Sequence, residues 1–224
     1  MIVVHHLENS RSQRVLWLLE ELELEYEVKR YERDRRTSLA PPELKAVHPL
    51  GKSPVITDGE ITVAETGAII EYLCARAGAR LVPAEGTPER LRYTYWLHYA
   101  EGSAMLTPLL KLIFGKIESS PAPFIVRPII KGLVNKVNRQ FIEPQFSLHY
   151  GFINDELGKS EWFAGSEFSA ADIQMSFPLE AALARGDAAS RFPRIKAFVD
   201  RVHARPAYQR ALEKGGPYEL MTGK

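Results

Sequence analysis

Three pairs of residues have the types and spacing to do chemistry together. Asn9-Ser10 stands where a β-branched run gives way to a helical pattern, so a side-chain hydroxyl and free backbone N–H groups point at one place, and the helix N-terminus there favours negative charge. Either residue also serves as a plain helix cap. Ser53-Pro54 sits just before a strand; a cis proline would turn the Ser53 backbone outward to pair with an extended peptide, whereas a trans one is an ordinary strand start. Glu65-Thr66 opens a helix directly after a strand. A hydroxyl at a helix N-terminus suits an anion and the neighbouring carboxylate suits an ammonium, so the pair fits an α-amino-acid head group. The alternative is an acidic first turn that only complements the helix dipole.

Other candidates read as structural. Ser169-Ala-Ala-Asp172 is a capping-box pattern with Asp in the usual Glu position, flanked by Phe168 and Ile173. Cys74, the one cysteine, falls mid-helix beside Leu73 and reads as a buried, inert thiol. It excludes an internal disulfide, a CxxC pair and a cysteine metal cluster. His5, His6 and His98 lack ligand-spaced partners, so no metal site is expected, and no GxGxxG or GxxxxGK[ST] loop is present.

The elements that must position these residues follow from pattern. Ile2 to Val4 reads as a buried strand, Val15, Leu18, Leu19 and Leu22 as one helix face, and Tyr26 to Tyr31 as a second strand, giving a parallel βαβ unit. A helical turn at Pro42 to Ala46 precedes two strands, Pro54 to Thr57 and Ile61 to Val63, joined by an Asp58-Gly59 hairpin turn. A helix from Glu65 to Ala77 stops at Gly78. Residues 79–86 read as a linker. Beyond it everything reads as helix: Thr87-Pro88 opens one running to about Gly115 and kinked at Pro108, another spans Phe124 to Leu157 with breaks at Pro128 and Pro144, and later helices open at Ser169, Phe192-Pro193 and Pro206. The expected class is α/β plus all-α, with domains at residues 1–80 and 87–224.

Composition narrows the class. The 224 residues are 45% hydrophobic and 25% charged with net charge +1, ordinary globular usage that gives no sign of nucleic-acid binding or a polybasic membrane surface. The N-terminus lacks the pattern of a signal peptide, and no apolar run approaches a membrane span of about 18 residues. A cytoplasmic enzyme or binding module is expected.

The segments NSRSQRVLWLLEEL, HPLGKSPVI, AETGAIIEYL, FSAADI and FPRIKAFVDRVHARPA occur in this order. Over nearly its full length the sequence resembles the glutathione transferase superfamily, and its first segment is most similar to bacterial and fungal members akin to the yeast transferase I type. The resemblance implies a thioredoxin-like domain (βαβ, then ββα) followed by a helical bundle, in a cytoplasmic homodimer that detoxifies apolar electrophiles with glutathione as co-substrate and no metal. It implies that Ser53 pairs through its backbone with the cysteinyl unit and that Pro54 is cis. Glu65 and Thr66 would bind the γ-glutamyl head, Lys52 the glycyl carboxylate, and Glu101 the γ-glutamyl amine across the dimer. Tyr95, Tyr99 and Met105 would line the electrophile site. The resemblance to serine-type members, whose catalytic serine stands four or five residues before an arginine like Arg14, implies Ser10 or Asn9 as the thiol-activating residue, with Ser12 or a water as further alternatives. A non-enzymatic interaction module on the same fold, or a glutathione-dependent lyase, isomerase or dehalogenase, is the rival reading.

Overall fold

The computed structural model describes residues 1–184 and 188–218. Residues 185–187 and 219–224 of the expected second domain lie outside the described residues. The chain starts as β1 (Ile2–Leu7), α1 (Ser12–Leu22) and β2 (Tyr26–Tyr31), followed by α2 (Pro42–Val47), β3 (Val55–Asp58), β4 (Ile61–Ala64) and α3 (Thr66–Arg76). The sheet order is β2-β1-β3-β4, with β1 parallel to β2 and antiparallel to β3. This is the thioredoxin-like arrangement the βαβ and ββα patterns implied. β1 runs three residues beyond the Ile2 to Val4 expected, because His5, His6 and Leu7 are buried and paired with Lys29, Arg30 and Tyr31.

Alternation along β1 decides what each face meets. Ile2 and Val4 join the main core with α1 and α3, whereas Leu7 packs with Tyr31 and Leu44 of α2 on the opposite face. α1 is buried on nearly every side, since Val15, Leu16, Leu18 and Leu19 are all fully covered. It packs against β1 and α3 and also against two helices of the second half, α8 (Ala170–Leu183) and α11 (Pro206–Gly215). The central helix of the first half is therefore also a core element of the second.

That second half is all helix among the described residues. It comprises α4 (Pro88–Tyr99), α5 (Leu106–Ser119), α6 (Arg127–Val137), α7 (Glu143–Glu156), α8, α9 (Ala188–Arg191), α10 (Pro193–His203) and α11. The long helix expected from Thr87 breaks at a π-type turn, Ala100–Ala104, ahead of Pro108, and the one before Leu157 breaks at a second, Asn138–Ile142, ahead of Pro144. The reason is backbone supply. A proline has no N–H for the carbonyl four residues earlier, and widening the turn upstream re-spaces the ladder, as in the 3.0 Å bond from Met105 N–H to the Ala100 carbonyl.

The freed carbonyls are then claimed by buried side chains. Pro108 releases the Ala104 carbonyl, and the Tyr150 hydroxyl donates to it at 3.1 Å. Pro178 inside α8 releases the Gln174 carbonyl, and the guanidinium of Arg14 on α1 donates to that oxygen. A proline in the helical half thus explains a buried arginine in the sheet half. Asp172 secures the start of α8 as the capping pattern implied: it accepts from Ser169 N–H and Phe163 N–H at 2.8 Å each and from the Ser169 hydroxyl at 3.0 Å.

Candidate functional site

Two cavities open side by side between the sheet half and the helical half, and they share a rim of Arg11, Leu50, Lys52 and Ser53. The smaller, about 330 Å³, is lined by Pro54, Glu65, Thr66 and Glu101 in addition to that rim. The larger, about 590 Å³, has Asn9 and Ser10 on its floor and Met105, Leu109, Leu112 and Phe177 on its apolar wall. Asn9, Ser10, Lys52, Ser53, Pro54, Glu65, Thr66 and Glu101 therefore line one or both cavities, although they come from four separate segments.

The segment before α1 differs from a plain cap. The helix starts at Ser12, Arg11 occupies the cap position without a side-chain capping bond, and Asn9 adopts a left-handed backbone with φ 49°. Ser10 folds inward: its hydroxyl donates to the Leu7 carbonyl at 2.7 Å, lies 2.7 Å from the Ser12 hydroxyl and 3.5 Å from that of Ser53, and accepts from Ser12 N–H at 3.3 Å. Arg33 supports the turn from outside, donating to the carbonyls of Glu8 and Asn9.

Opposite it, the Ser53–Pro54 peptide is cis. The β1–β3 ladder begins at Val55, so the Ser53 backbone lies beyond the ladder at the cavity rim. The Ser53 side chain is turned inward, accepting from Leu7 N–H at 3.3 Å and donating to the His5 carbonyl at 3.0 Å. Glu65 precedes α3 with φ 69°, a conformation that costs a non-glycine residue of the order of 1 kcal/mol or more. Backbone held in such regions concentrates where geometry serves a site.

Arginines organise the charge. Arg11 places its Nε 3.1 Å from both Glu101 carboxylate oxygens, and Arg14 donates to Glu101 and, at 3.4 Å, to the Thr66 hydroxyl. Both guanidiniums stand 5.1 Å from the Phe177 ring centre. Burial pushes the Glu101 carboxyl up, but Arg14 and Arg11 outweigh it and hold the group below the ordinary carboxylate range. Within its own chain Glu101 is engaged by Arg11 and Arg14 and lines the smaller cavity. Tyr95 and Tyr99 do not line either cavity: they stack on each other and meet Trp96, with Tyr95 exposed, and only Met105 of the expected trio faces the apolar wall. Three cations on the larger cavity, Arg11, Arg33 and Lys45, were not singled out from sequence; only the adjacency of Arg11 to Ser10 pointed to any of them.

Behind Ser10 lies His6, buried, with Nδ1 2.8 Å from the Ser12 hydroxyl. Burial and then Arg30 push the imidazole down to about 4 against a partial opposing hydrogen bond to the Gly215 backbone. The sign of the linkage follows. From pH 6.5 down to about 4 the unfolded chain takes a proton the folded chain refuses, so His6 removes stability as pH falls, by about 3 kcal/mol across the window, and adds nothing above pH 6.5. His6→Gln is expected to remove this component, and urea midpoints of the two proteins measured from pH 4 to pH 7 check it.

Cys74 is buried and its thiol is pushed up to about 12 by burial and then by Glu71, as an inert core group. Among the described residues no group of three His, Cys, Asp or Glu side chains stands close enough to hold a metal ion, and no helix is long and apolar enough to cross a membrane.

Two family models match the chain: "Glutathione S-transferase, N-terminal domain" over residues 1–75 and "Glutathione S-transferase, C-terminal domain" over residues 143–206. Glutathione S-transferase 3 of Schizosaccharomyces pombe is 37% identical over 96% of this chain and 88% of its own length. Glutathione S-transferase 1 of Saccharomyces cerevisiae is 32% identical over 96% of this chain and 95% of its own. A solved glutathione S-transferase from Actinobacillus pleuropneumoniae superposes with a TM-score of 0.80 at 34% identity, covering 98% of this chain and 95% of that one.

Proposed function

The chain belongs to the glutathione S-transferase family, and from that premise we propose that the smaller cavity binds glutathione and the larger one an apolar electrophile attacked by the glutathione thiolate. The observation that carries this reading is the shared rim: a site suited to an amino-acid head group and a hydroxyl at a helix tip open onto the same apolar wall.

In this reading Glu65 and Thr66 take the γ-glutamyl head, with Glu101 kept anionic by Arg11 and Arg14 to assist at the amine. The Ser53 backbone pairs with the cysteinyl unit and Lys52 approaches the glycyl carboxylate. The sulfur then lies by Ser10. A free thiol has a pKa of about 8.5, and its thiolate is the nucleophile. A hydrogen bond to a charged group contributes about 1.5–3 kcal/mol, and a helix N-terminus about 0.3–1 kcal/mol. Ser10 gives up its bond to the Leu7 carbonyl when it turns to sulfur, so the lower figure applies. Together they amount to about 2 kcal/mol, or roughly 1.5 pKa units, which brings the thiol near neutrality. The thiolate forms a carbon–sulfur bond to the electrophile as a leaving group departs or a proton is taken up.

Titration calorimetry with glutathione and a conjugation assay with a chloronitrobenzene test the reading. Binding with turnover supports it. Absence of binding points to an interaction module, and binding without conjugation to lyase, isomerase or dehalogenase chemistry. Glu65→Gln, which removes the charge facing the ammonium, is expected to weaken glutathione binding roughly ten- to a hundred-fold. The same reading takes residues 1–80 and 87–224 as the two domains, a cytoplasmic location, and a homodimer. Exposed Leu91, Tyr95 and Leu148 on the outer helices support pairing of two copies, which light scattering checks.

A further inference from the structure

The Ser10 hydroxyl is the outer end of a buried chain. Ser10 Oγ lies 2.7 Å from Ser12 Oγ, which lies 2.8 Å from His6 Nδ1, and the imidazole sits beside the Gly215 backbone at the end of α11. Ser12 is fully buried and His6 nearly so, whereas Ser10 borders the larger cavity. Both hydroxyls also reach the Leu7 carbonyl, but the contact of Ser12 with His6 carries the chain deeper, among Ile2, Val4, Val15 and Leu16 of the apolar core. A buried polar chain in such a setting is stable only if each donor meets an acceptor, so it has a direction.

Two directions are open. If the imidazole carries its hydrogen on Nε2, Nδ1 accepts from Ser12 and the Ser10 hydrogen is held inside, on the Ser12 oxygen or the Leu7 carbonyl. If the hydrogen is on Nδ1, the imidazole donates to Ser12 and Ser12 donates to Ser10, so the Ser10 hydrogen is released from Ser12 and can turn from the Leu7 carbonyl to the cavity. An anion at the cavity end favours the second direction, because every dipole then points at it. Resting on the reading of Ser10 as the donor to the glutathione sulfur, we propose that Ser12 and His6 are positioning residues that turn the Ser10 hydroxyl toward the thiolate, the neutral imidazole changing tautomer when the thiolate forms.

The imidazole orients the chain; it is not the base. Its pKa, pushed down to about 4, lies far below that of a thiol at about 8.5, so the thiol proton goes to solvent and His6 remains neutral. Arg30, which faces the ring from β2, opposes a positive charge there as well.

The test measures the thiol pKa of bound glutathione, by ultraviolet thiolate absorbance, in wild type, Ser10→Ala, Ser12→Ala and Ser12→Thr. Ser12→Ala is expected to raise the pKa by about one unit, approaching Ser10→Ala and leaving roughly five-fold less thiolate at neutral pH. Ser12→Thr, which keeps the hydroxyl, is expected to restore the wild-type value, and the affinity for S-methylglutathione is expected to stay unchanged in all variants. Nitrogen NMR of the His6 ring supplies a readout that does not depend on the variants folding. Glutathione above its thiol pKa should move the ring hydrogen to Nδ1, and S-methylglutathione, which has no thiolate, should not. A wild-type thiol pKa in Ser12→Ala beside a raised one in Ser10→Ala, or one His6 tautomer in both complexes, overturns the proposal while leaving the proposed function standing. Failure of the wild type to bind glutathione overturns the proposed function itself.

Discussion

Replacing Ser10 by alanine is expected to raise the pKa of bound glutathione by about one unit and to lower kcat/KM for conjugation at neutral pH roughly five-fold. The size of the effect comes from the exchange described above. In the free protein the hydroxyl already donates to the Leu7 carbonyl at 2.7 Å, so its bond to sulfur replaces one that exists and the net loss sits at the low end for a charged partner. The α1 N-terminus and Arg11 remain after the substitution, so the thiol is still expected to ionise more readily than in water. Because the lost interaction is made with the thiolate, the pH–rate profile should shift while its high-pH plateau changes less. Stopped-flow measurement of conjugation across pH 5.5 to 9 would show this. An unchanged profile transfers the role to Asn9, Ser12 or a water.

How far the sequence foretold this site depends on whether the signal was local. Strand alternation, helix caps and the Asp58-Gly59 turn are set by neighbours in the chain, and they located the sheet, the helices and the capping box at Asp172 closely. Glu65-Thr66 and Ser53-Pro54 were legible for the same reason, since each marks a junction of elements. The partners that convert those junctions into a site lie far away in sequence. Arg14 meets Glu101 and the Gln174 carbonyl, and its burial follows from Pro178, 164 positions later. His6 looked like half of an unpartnered histidine pair, because its partner Ser12 lies across the turn that opens α1. Tyr95 and Tyr99 sit at helical spacing suited to lining a cavity, yet the π-type turn at Ala100–Ala104 rotates the following helix relative to them, and only Met105 reaches it. At Pro108 the freed Ala104 carbonyl is taken by the Tyr150 hydroxyl, 46 residues away, and that information is tertiary.

The larger effect on folding is expected from Asp172→Ala. The carboxylate is fully buried and accepts from Phe163 N–H, Ser169 N–H and the Ser169 hydroxyl, thereby fastening the loop before α8 to the first turn of that helix. Alanine removes all three acceptor contacts and leaves two backbone donors in a dry place. At about 1–3 kcal/mol for each unsatisfied group, the cost is about 4 kcal/mol, a large share of a domain's stability of about 5–15 kcal/mol. A fall in melting temperature on the order of 10 °C follows for a chain of this size. Asp172→Asn keeps one acceptor oxygen but turns an amide toward the remaining donor, so about half the loss is expected. It also isolates the charge. Burial outweighs the hydrogen bonds that hold this carboxyl down and pushes it up to about 6, so the folded chain takes a proton before the unfolded one does. Stability from this group therefore rises as pH falls from about 6 toward 3.8, opposite in sign to His6. In Asp172→Asn this opposing component is gone, and the variant should lose stability on acidification more steeply than the wild type. Calorimetric melting at pH 4.5 and pH 7 reads both the loss and its sign, and equal pH slopes in the two proteins would contradict the assignment.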